Sequence, residues 1–164
     1  MEFIQLLPGQ EDKIQEMSTM ASTIVKEHYD PIIGPAQNDY MIKKFQSVES
    51  IKEQLEHGYR YYFAKINGKN VGFCAFYPKD KEIMYLSKFY IYKDQRGQGY
   101  SRTMSNFIAE ETRKEGLKAI ELNVNKNNTS VPIYKKLGYR EVRTEKNPIG
   151  NGFYMDDYVL RLDV

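Results

Sequence analysis

Tyr90-Ile91-Tyr92-Lys93-Asp94-Gln95-Arg96-Gly97-Gln98-Gly99-Tyr100-Ser101-Arg102 is the stretch on which the reading of this chain turns. A β-rich run breaks into a glycine-containing turn. A helical pattern then runs from Gly97 to Gly116, with Tyr100, Met104, Phe107 and Ile108 on one face and Gly116 placed to end it. Strand, glycine turn and helix together make a cradle for phosphate. Gly97 and Gly99 allow the backbone to approach a ligand closely, the unpaired N–H groups of the first helical turn point at it, and the helix dipole favours negative charge. Arg96 and Arg102 add mobile countercharge. Two other phosphate loops do not fit. A P-loop needs Gly-Lys followed by Ser or Thr, whereas Gly68-Lys69 is followed by Asn70, and the dinucleotide fingerprint needs a third glycine where Arg102 stands.

Upstream of this point the chain reads as an antiparallel meander. Tyr59 to Ile66 and Val71 to Tyr77 are β-rich runs flanking Asn67-Gly68-Lys69-Asn70, in which Asn-Gly is a strong hairpin signal, and Ile83 to Tyr92 is a long third strand. Phe3 to Leu7 is a short strand and Gly9 to Tyr29 an amphipathic helix that the Pro31 to Pro35 stretch is expected to break. Tyr40 to Phe45 and Val48 to His57 are further short helices, the second with Ser47 or Ser50 near its start. Downstream, Ala119 to Val124 is a strand that a right-handed crossover would lay parallel to Ile83 to Tyr92. A short helix from Ser130 to Leu137 carries Pro132 in its first turn, and Tyr139 to Arg143 and Phe153 to Leu162 close the chain as strands. The expected fold class is α/β, a mixed central sheet with helices on its faces.

Composition narrows the function. A length of 164 residues without repeat or linker favours one domain, residues 1–164. Lys and Arg number 24 against 22 Asp and Glu, a net charge of +2, which is too balanced for a dedicated nucleic-acid binder. Cys74 is the only cysteine and is read as a small core residue of the meander, with no partner for a disulfide. With only His28 and His57 beside it, a metal site has little to stand on, and the two histidines are read as helix-end caps. The opening MEFIQLLPGQEDK resembles neither a signal peptide nor a membrane span, so a cytoplasmic protein without a membrane partner is expected. On that view the overlapping sequons at Asn127 and Asn128 stay unmodified.

The phosphate stretch resembles the pyrophosphate loop of the GCN5-related N-acetyltransferase (GNAT) family, in which Arg or Gln is followed after two residues by Gly and two later by Gly or Ala. Arg96-Gly97-Gln98-Gly99-Tyr100-Ser101 matches at Arg96 and Gly99 and carries Ser101, a small residue, at the last position. About 30 residues on, Asn127, Ser130, Tyr134, Lys136, Gly138 and Tyr139 match the family's downstream pattern NxxAxxxYxKxGF, with Ser and Tyr at two of its places. The resemblance runs from about Tyr59 to Leu162. In addition, GNGFYMDDYVLRL, Gly150 to Leu162, and YLSKFYI, Tyr85 to Ile91, are similar to the branch containing bacterial polyamine N-acetyltransferases.

The resemblance implies a sheet whose parallel strands four and five splay apart around acetyl-CoA, and transfer of its acetyl group to a primary amine by direct attack. The acceptor would be a small-molecule or protein amine, with a polyamine such as spermidine favoured. Backbone of Phe89, Tyr90 and Ile91 would pair with the pantetheine arm, and Arg96, Gly97, Gln98, Gly99, Tyr100, Ser101 and Arg102 would hold the pyrophosphate. Asn127 would either contact that arm or cap the following helix. Tyr134 matches the family's general acid toward the departing sulfur. A Glu that many members carry on strand four is here Ser87, which leaves the base unassigned among water chains to Glu82, Glu121 or solvent. Asp156 and Asp157 are the acids for the ammonium groups of a polyamine, with a solvated turn as their alternative. A GNAT-fold module that binds acyl-CoA as a sensor is the rival reading, and Ser87 speaks for it.

Overall fold

A computed structural model describes all 164 residues, Met1–Val164. Seven strands, β1 (Glu2–Leu6), β2 (Arg60–Ile66), β3 (Lys69–Pro78), β4 (Ile83–Ile91), β5 (Ala119–Asn125), β6 (Arg140–Gly150) and β7 (Phe153–Asp163), are hydrogen-bonded in the order β1-β2-β3-β4-β5-β7-β6. The helices are α1 (Glu11–Ile33), α2 (Pro35–Phe45), α3 (Val48–Glu56), α4 (Tyr100–Lys114) and α5 (Val131–Lys136). Chain contacts group Met1–Tyr77 with Lys88–Met104 as one compact unit, and Pro78–Ser87 with Ser105–Val164 as a second. No helix is long and apolar enough to cross a membrane.

In the first unit, β1, β2 and β3 form an antiparallel meander, and Asn67 and Gly68, both at positive φ, make the two-residue hairpin turn between β2 and β3. Helical spacing in α1 puts Ile14, Met17, Ala21 and Ile24 on one stripe, which packs with Ile51 and Leu55 of α3 against Tyr61, Phe63 and Phe73 of the sheet. Each of the Ile, Leu, Met and Phe side chains among them contributes roughly 1.5–3 kcal/mol by leaving water. Ser47 caps α3 by accepting from the Ser50 N–H at 3.2 Å. The break expected at Pro31 to Pro35 comes late. Pro31 removes one N–H near the end of α1, a loss the helix tolerates while Asp30 is tied to Lys26 at 3.1 Å and to the Asn38 amide at 2.8 Å. Pro35 then opens α2, so His28 lies inside α1 against the Tyr29 ring rather than at a helix end, whereas His57 does cap α3.

In the second unit, Ile83, Met84 and Tyr85 of β4 pair in parallel with Ala119, Ile120 and Glu121 of β5. That ladder ends at Tyr85 although β5 continues to Asn125. β7 lies between β5 and β6 and is antiparallel to both. Met84, Ile108, Ile120, Leu122, Val124, Val159 and Leu160 are buried. β6 is longer than the expected Tyr139 to Arg143. Thr144 to Asn147 is polar throughout and is followed by Pro148, which hides the strand from a pattern search, because an exposed strand paired on one side to β7 needs no alternation.

Candidate active site

The residues to which the sequence assigns chemistry fall into two groups, one in each unit. In the first unit, β4 leads through a single tight helical turn, Lys93–Gln95, into the glycine loop and α4. Gly97 and Gly99 have φ of 76° and 77°, so the helix begins at Tyr100 and not at Gly97. A Cβ built at either glycine meets no atom within 4 Å, so it is the backbone conformation and not crowding that requires them. The first helical bond runs from Thr103 N–H to the Gly99 carbonyl at 3.4 Å, which turns the N–H groups of Tyr100, Ser101 and Arg102 outward at the positive end of α4. Arg96 and Arg102 are exposed beside them, with Arg96 Nε 3.4 Å from the Ile91 carbonyl. This donor set fits the pyrophosphate of acetyl-CoA, an anion needing several N–H groups and a movable cation.

Phe89, Tyr90 and Ile91 are half-buried. The Tyr90 ring is anchored against Phe73 at 5.4 Å and Tyr29 at 6.4 Å. Behind them lies Gly72, where a Cβ would sit 2.2 Å from the Tyr90 carbonyl oxygen. Sequence reasoning passes over this glycine, whose one signal is its place inside a strand pattern.

Lys88 is missed in the same way. It is buried, and its Nζ donates into a cage made by the Phe45 carbonyl, Gln46 Oε1 at 2.9 Å, Gln54 Oε1 at 3.1 Å and the Tyr61 hydroxyl. Burial pushes its pKa down to about 7. Its position between β-rich neighbours in YLSKFYI is the one signal, since a lysine in a buried strand needs such a cage. Cys74 is fully buried and its thiol is pushed far up by desolvation, in keeping with a core role.

In the second unit, Tyr134 stands on α5, half-buried, its ring edge-on to Tyr139 at 5.7 Å. Asn127 does not cap α5. Its backbone N–H donates to Asn125 Oδ1 at 2.9 Å, and the buried Asn128 side chain accepts from the Ser130 N–H at 2.8 Å in a turn that leads into α5, which has no side-chain cap. The extra residue of reach places Asn128, and not Asn127, at the distance an Asx side chain can span.

Asp156 and Asp157 lie within β7 and not in a turn. Asp156 is half-exposed and paired with Lys126 at 3.1 Å. Asp157 is only 1% exposed. It belongs to a chain of hydrogen bonds that starts at the end of the β4–β5 ladder. The Tyr85 hydroxyl donates to Asn123 Oδ1 at 2.8 Å, and Asn123 Nδ2 donates to Glu145 Oε1 at 3.1 Å and to Asp157 Oδ2 at 3.4 Å. Glu145 is held below the ordinary carboxylate range by the Asn123 bond and by Arg143. Asp157 is pushed up to about 6, chiefly by burial and further by Asp156 and Glu145. Glu121 is taken by Arg143, Arg161 and Lys79, so it is committed to ion pairs. No group of three or more His, Cys, Asp or Glu is arranged to hold a metal.

Comparison with known proteins places this geometry. The family model described as acetyltransferase (GNAT) domain matches residues 25–162. An uncharacterized N-acetyltransferase of Methanocaldococcus jannaschii is 28% identical over 93 residues, 52% of this chain and 41% of that relative, so the match spans less than half of the relative's length. Among solved structures, the paiA N-acetyltransferase of Thermoplasma acidophilum in complex with coenzyme A superposes with a TM-score of 0.79 at 14% identity, covering 100% of both chains. A GCN5-related N-acetyltransferase of Rhodopseudomonas palustris gives 0.81 at 13% identity, covering 99% of this chain and 95% of that one. Tetrahymena GCN5 gives 0.71 at 12% identity over 100% and 96%. At these identities the superpositions show the fold.

Proposed function

The chain belongs to the acetyltransferase (GNAT) domain family, and from that premise we propose that it transfers acetyl from acetyl-CoA to a primary amine, with a polyamine such as spermidine as favoured acceptor. The observation that carries this reading is the loop from Arg96 to Arg102, where two glycines at positive φ turn a strand into the N-terminus of a helix. Peptide groups of Phe89, Tyr90 and Ile91 pair with the pantetheine arm, and the N–H groups from Gly97 to Arg102, with Arg96 and Arg102, hold the pyrophosphate. Acetyl-CoA supplies an activated thioester. A strand N–H, that of Ile91, is the donor for the carbonyl oxygen as charge develops on it. Asn127, exposed and freed from capping, contacts the arm.

Tyr134 donates to the departing sulfur. A phenol near pKa 10 facing a thiol near 8.5 loses its proton uphill by about 1.5 units, so a hydrogen bond suffices and the rate effect is modest. The acceptor must shed a proton to attack. For an alkyl ammonium near pKa 10.4 at pH 7 that costs about 4.6 kcal/mol. Asp156 and Asp157 on β7 supply the carboxylates that attract a polycation.

The sensor reading keeps one observation in its favour, the neutral Ser87 on β4. Thiol release from acetyl-CoA across a panel of spermidine, putrescine, a lysine peptide, an N-terminal peptide and an aminoglycoside separates the two. An acetyltransferase releases CoA with at least one amine and ranks spermidine first. Acetyl-CoA binding without thiol release from any of them identifies a sensor.

A further inference from the structure

We propose that Asp157 is the proton acceptor for the reacting ammonium, with Asn123 and Tyr85 as the residues that position it. The assignment rests on the acetyl-transfer reading above and fills the place that Ser87 leaves empty.

Charge pairing among the acids of β5, β6 and β7 singles Asp157 out. Glu121 has Lys79, Arg143 and Arg161, Glu145 has Arg143, and Asp156 has Lys126. Of the acids on these strands that are shielded from solvent, Asp157 alone forms no ion pair; Glu141, which also has none, is exposed. The single hydrogen bond of the Asp157 carboxylate is the 3.4 Å contact from a neutral amide, and that amide is shared with Glu145. A carboxylate that is 1% exposed and so thinly partnered calls for a cationic donor.

Its place in the sheet points the same way. Tyr85 is the last β4 residue in the parallel ladder, and Asn123 lies two residues beyond the last β5 residue in it. Asn125 then pairs with Asp157 across β5 and β7. The chain Tyr85, Asn123, Asp157 therefore occupies the carboxyl end of a parallel pair where the pairing stops, the region of an open α/β sheet at which ligands bind. The Tyr85 hydroxyl fixes the Asn123 amide so that its NH2 faces the two carboxylates.

In the transfer, one proton of the ammonium passes to Asp157, leaving the nitrogen lone pair free. The nitrogen bonds to the acetyl carbonyl carbon, the carbon–sulfur bond breaks with its electron pair on sulfur, and a second nitrogen proton ends on that sulfur as the thiol. Asp157 returns its proton to solvent, so ammonium and thioester give amide, thiol and one proton. Asp157 must be ionised to act. Glu145 on β6, Asp156 on its own strand and Lys126 after β5 are the charged groups facing it, the two acids holding its pKa up and Lys126 opposing them.

The test is the pH dependence of spermidine acetylation in the full chain. Wild-type kcat/KM should fall as pH drops through about 6 and level off above 7. In Asp157→Asn, kcat at pH 8 should fall about 100-fold or more, the limb near 6 should vanish, and kcat should climb about tenfold per pH unit from 7 toward the amine pKa as solvent replaces the base. Acetyl-CoA affinity should be retained and thermal stability should not fall. Tyr85→Phe should lower kcat about threefold to tenfold and move the limb, with KM little changed. A variant Asp157→Asn that raises only KM and keeps the wild-type limb overturns the assignment and leaves Asp157 a binding residue. Wild-type protein that binds acetyl-CoA yet acetylates no amine overturns the acetyl-transfer reading and, separately identifiable, this one with it.

Discussion

Replacing Gly72 by alanine tests whether the backbone of β4 is the cofactor's partner. The added Cβ would stand 2.2 Å from the Tyr90 carbonyl oxygen, 3.1 Å from Ile91 Cα and 3.2 Å from the Tyr90 carbonyl carbon. All three are main-chain atoms, so no rotamer change relieves the overlap, and β4 must retreat by about 1 Å to reach ordinary contact. Overpacking of this kind costs about 1–3 kcal/mol. For a chain of this size the expected loss in Tm is roughly 3–10 °C. Because the peptides displaced are those of Tyr90 and Ile91, acetyl-CoA should also bind at least about fivefold more weakly, equivalent to about 1 kcal/mol. Thermal unfolding without ligand and calorimetric titration with acetyl-CoA read the two effects separately. A lower Tm with unchanged Kd would support the close approach and refute the cofactor role of Tyr90 and Ile91. No change in either would refute the packing argument itself.

Gly99→Val should weaken acetyl-CoA binding about tenfold or more, since a β-branched residue is strained at φ 77°, while Ser101→Ala should change Kd less than about threefold; equal and negligible effects by calorimetry would reduce the loop to a helix start. Tyr134→Phe should lower kcat about tenfold, roughly 1.4 kcal/mol, with Kd for acetyl-CoA unchanged, whereas unaltered turnover would confine Tyr134 to packing on Tyr139. Lys88 binds fewer protons folded than unfolded between about pH 7 and its ordinary range, so it costs stability below that window and less above it. Urea unfolding should therefore show wild type gaining on Lys88→Met as pH rises from 7 to about 10, and a difference independent of pH would mean the cage holds Lys88 as an ammonium throughout. Asp157 has the opposite sign among its own kind. Its raised pKa means stability is complete below about pH 4 and is lost as pH rises through 6, so Asp157→Asn should raise Tm at pH 8 and leave it unchanged at pH 4.

Local chemistry is legible in the sequence alone. The strand, glycine turn and helix from Tyr90 to Arg102, the Asn67-Gly68 hairpin and the Ser47 cap all depend on backbone conformations that a few neighbouring residues enforce, and each is present, with the helix starting three residues later than expected and Ser47 the capping one of the two serines. Even the order of strand, helix and strand from β4 to β5 predicts a parallel pair, because the handedness of crossovers leaves few alternatives. What depends on residues far apart in the chain is not legible. Pro31 reads locally as a stop, yet α1 runs on to Ile33, with Asn38 of the next helix bonded back to Asp30. Thr144 to Pro148 lies beyond the strand that the sequence pattern marks at Tyr139 to Arg143, yet it pairs with β7 as strand. Gly72, Lys88 and Asp157 are ordinary letters in strands until the backbone of Tyr90, the oxygens around Phe45 and Tyr61, and the Tyr85–Asn123 chain are brought to them. Burial and partnership decide what a charge or a missing Cβ does, and both arise only when segments tens of residues apart are packed together.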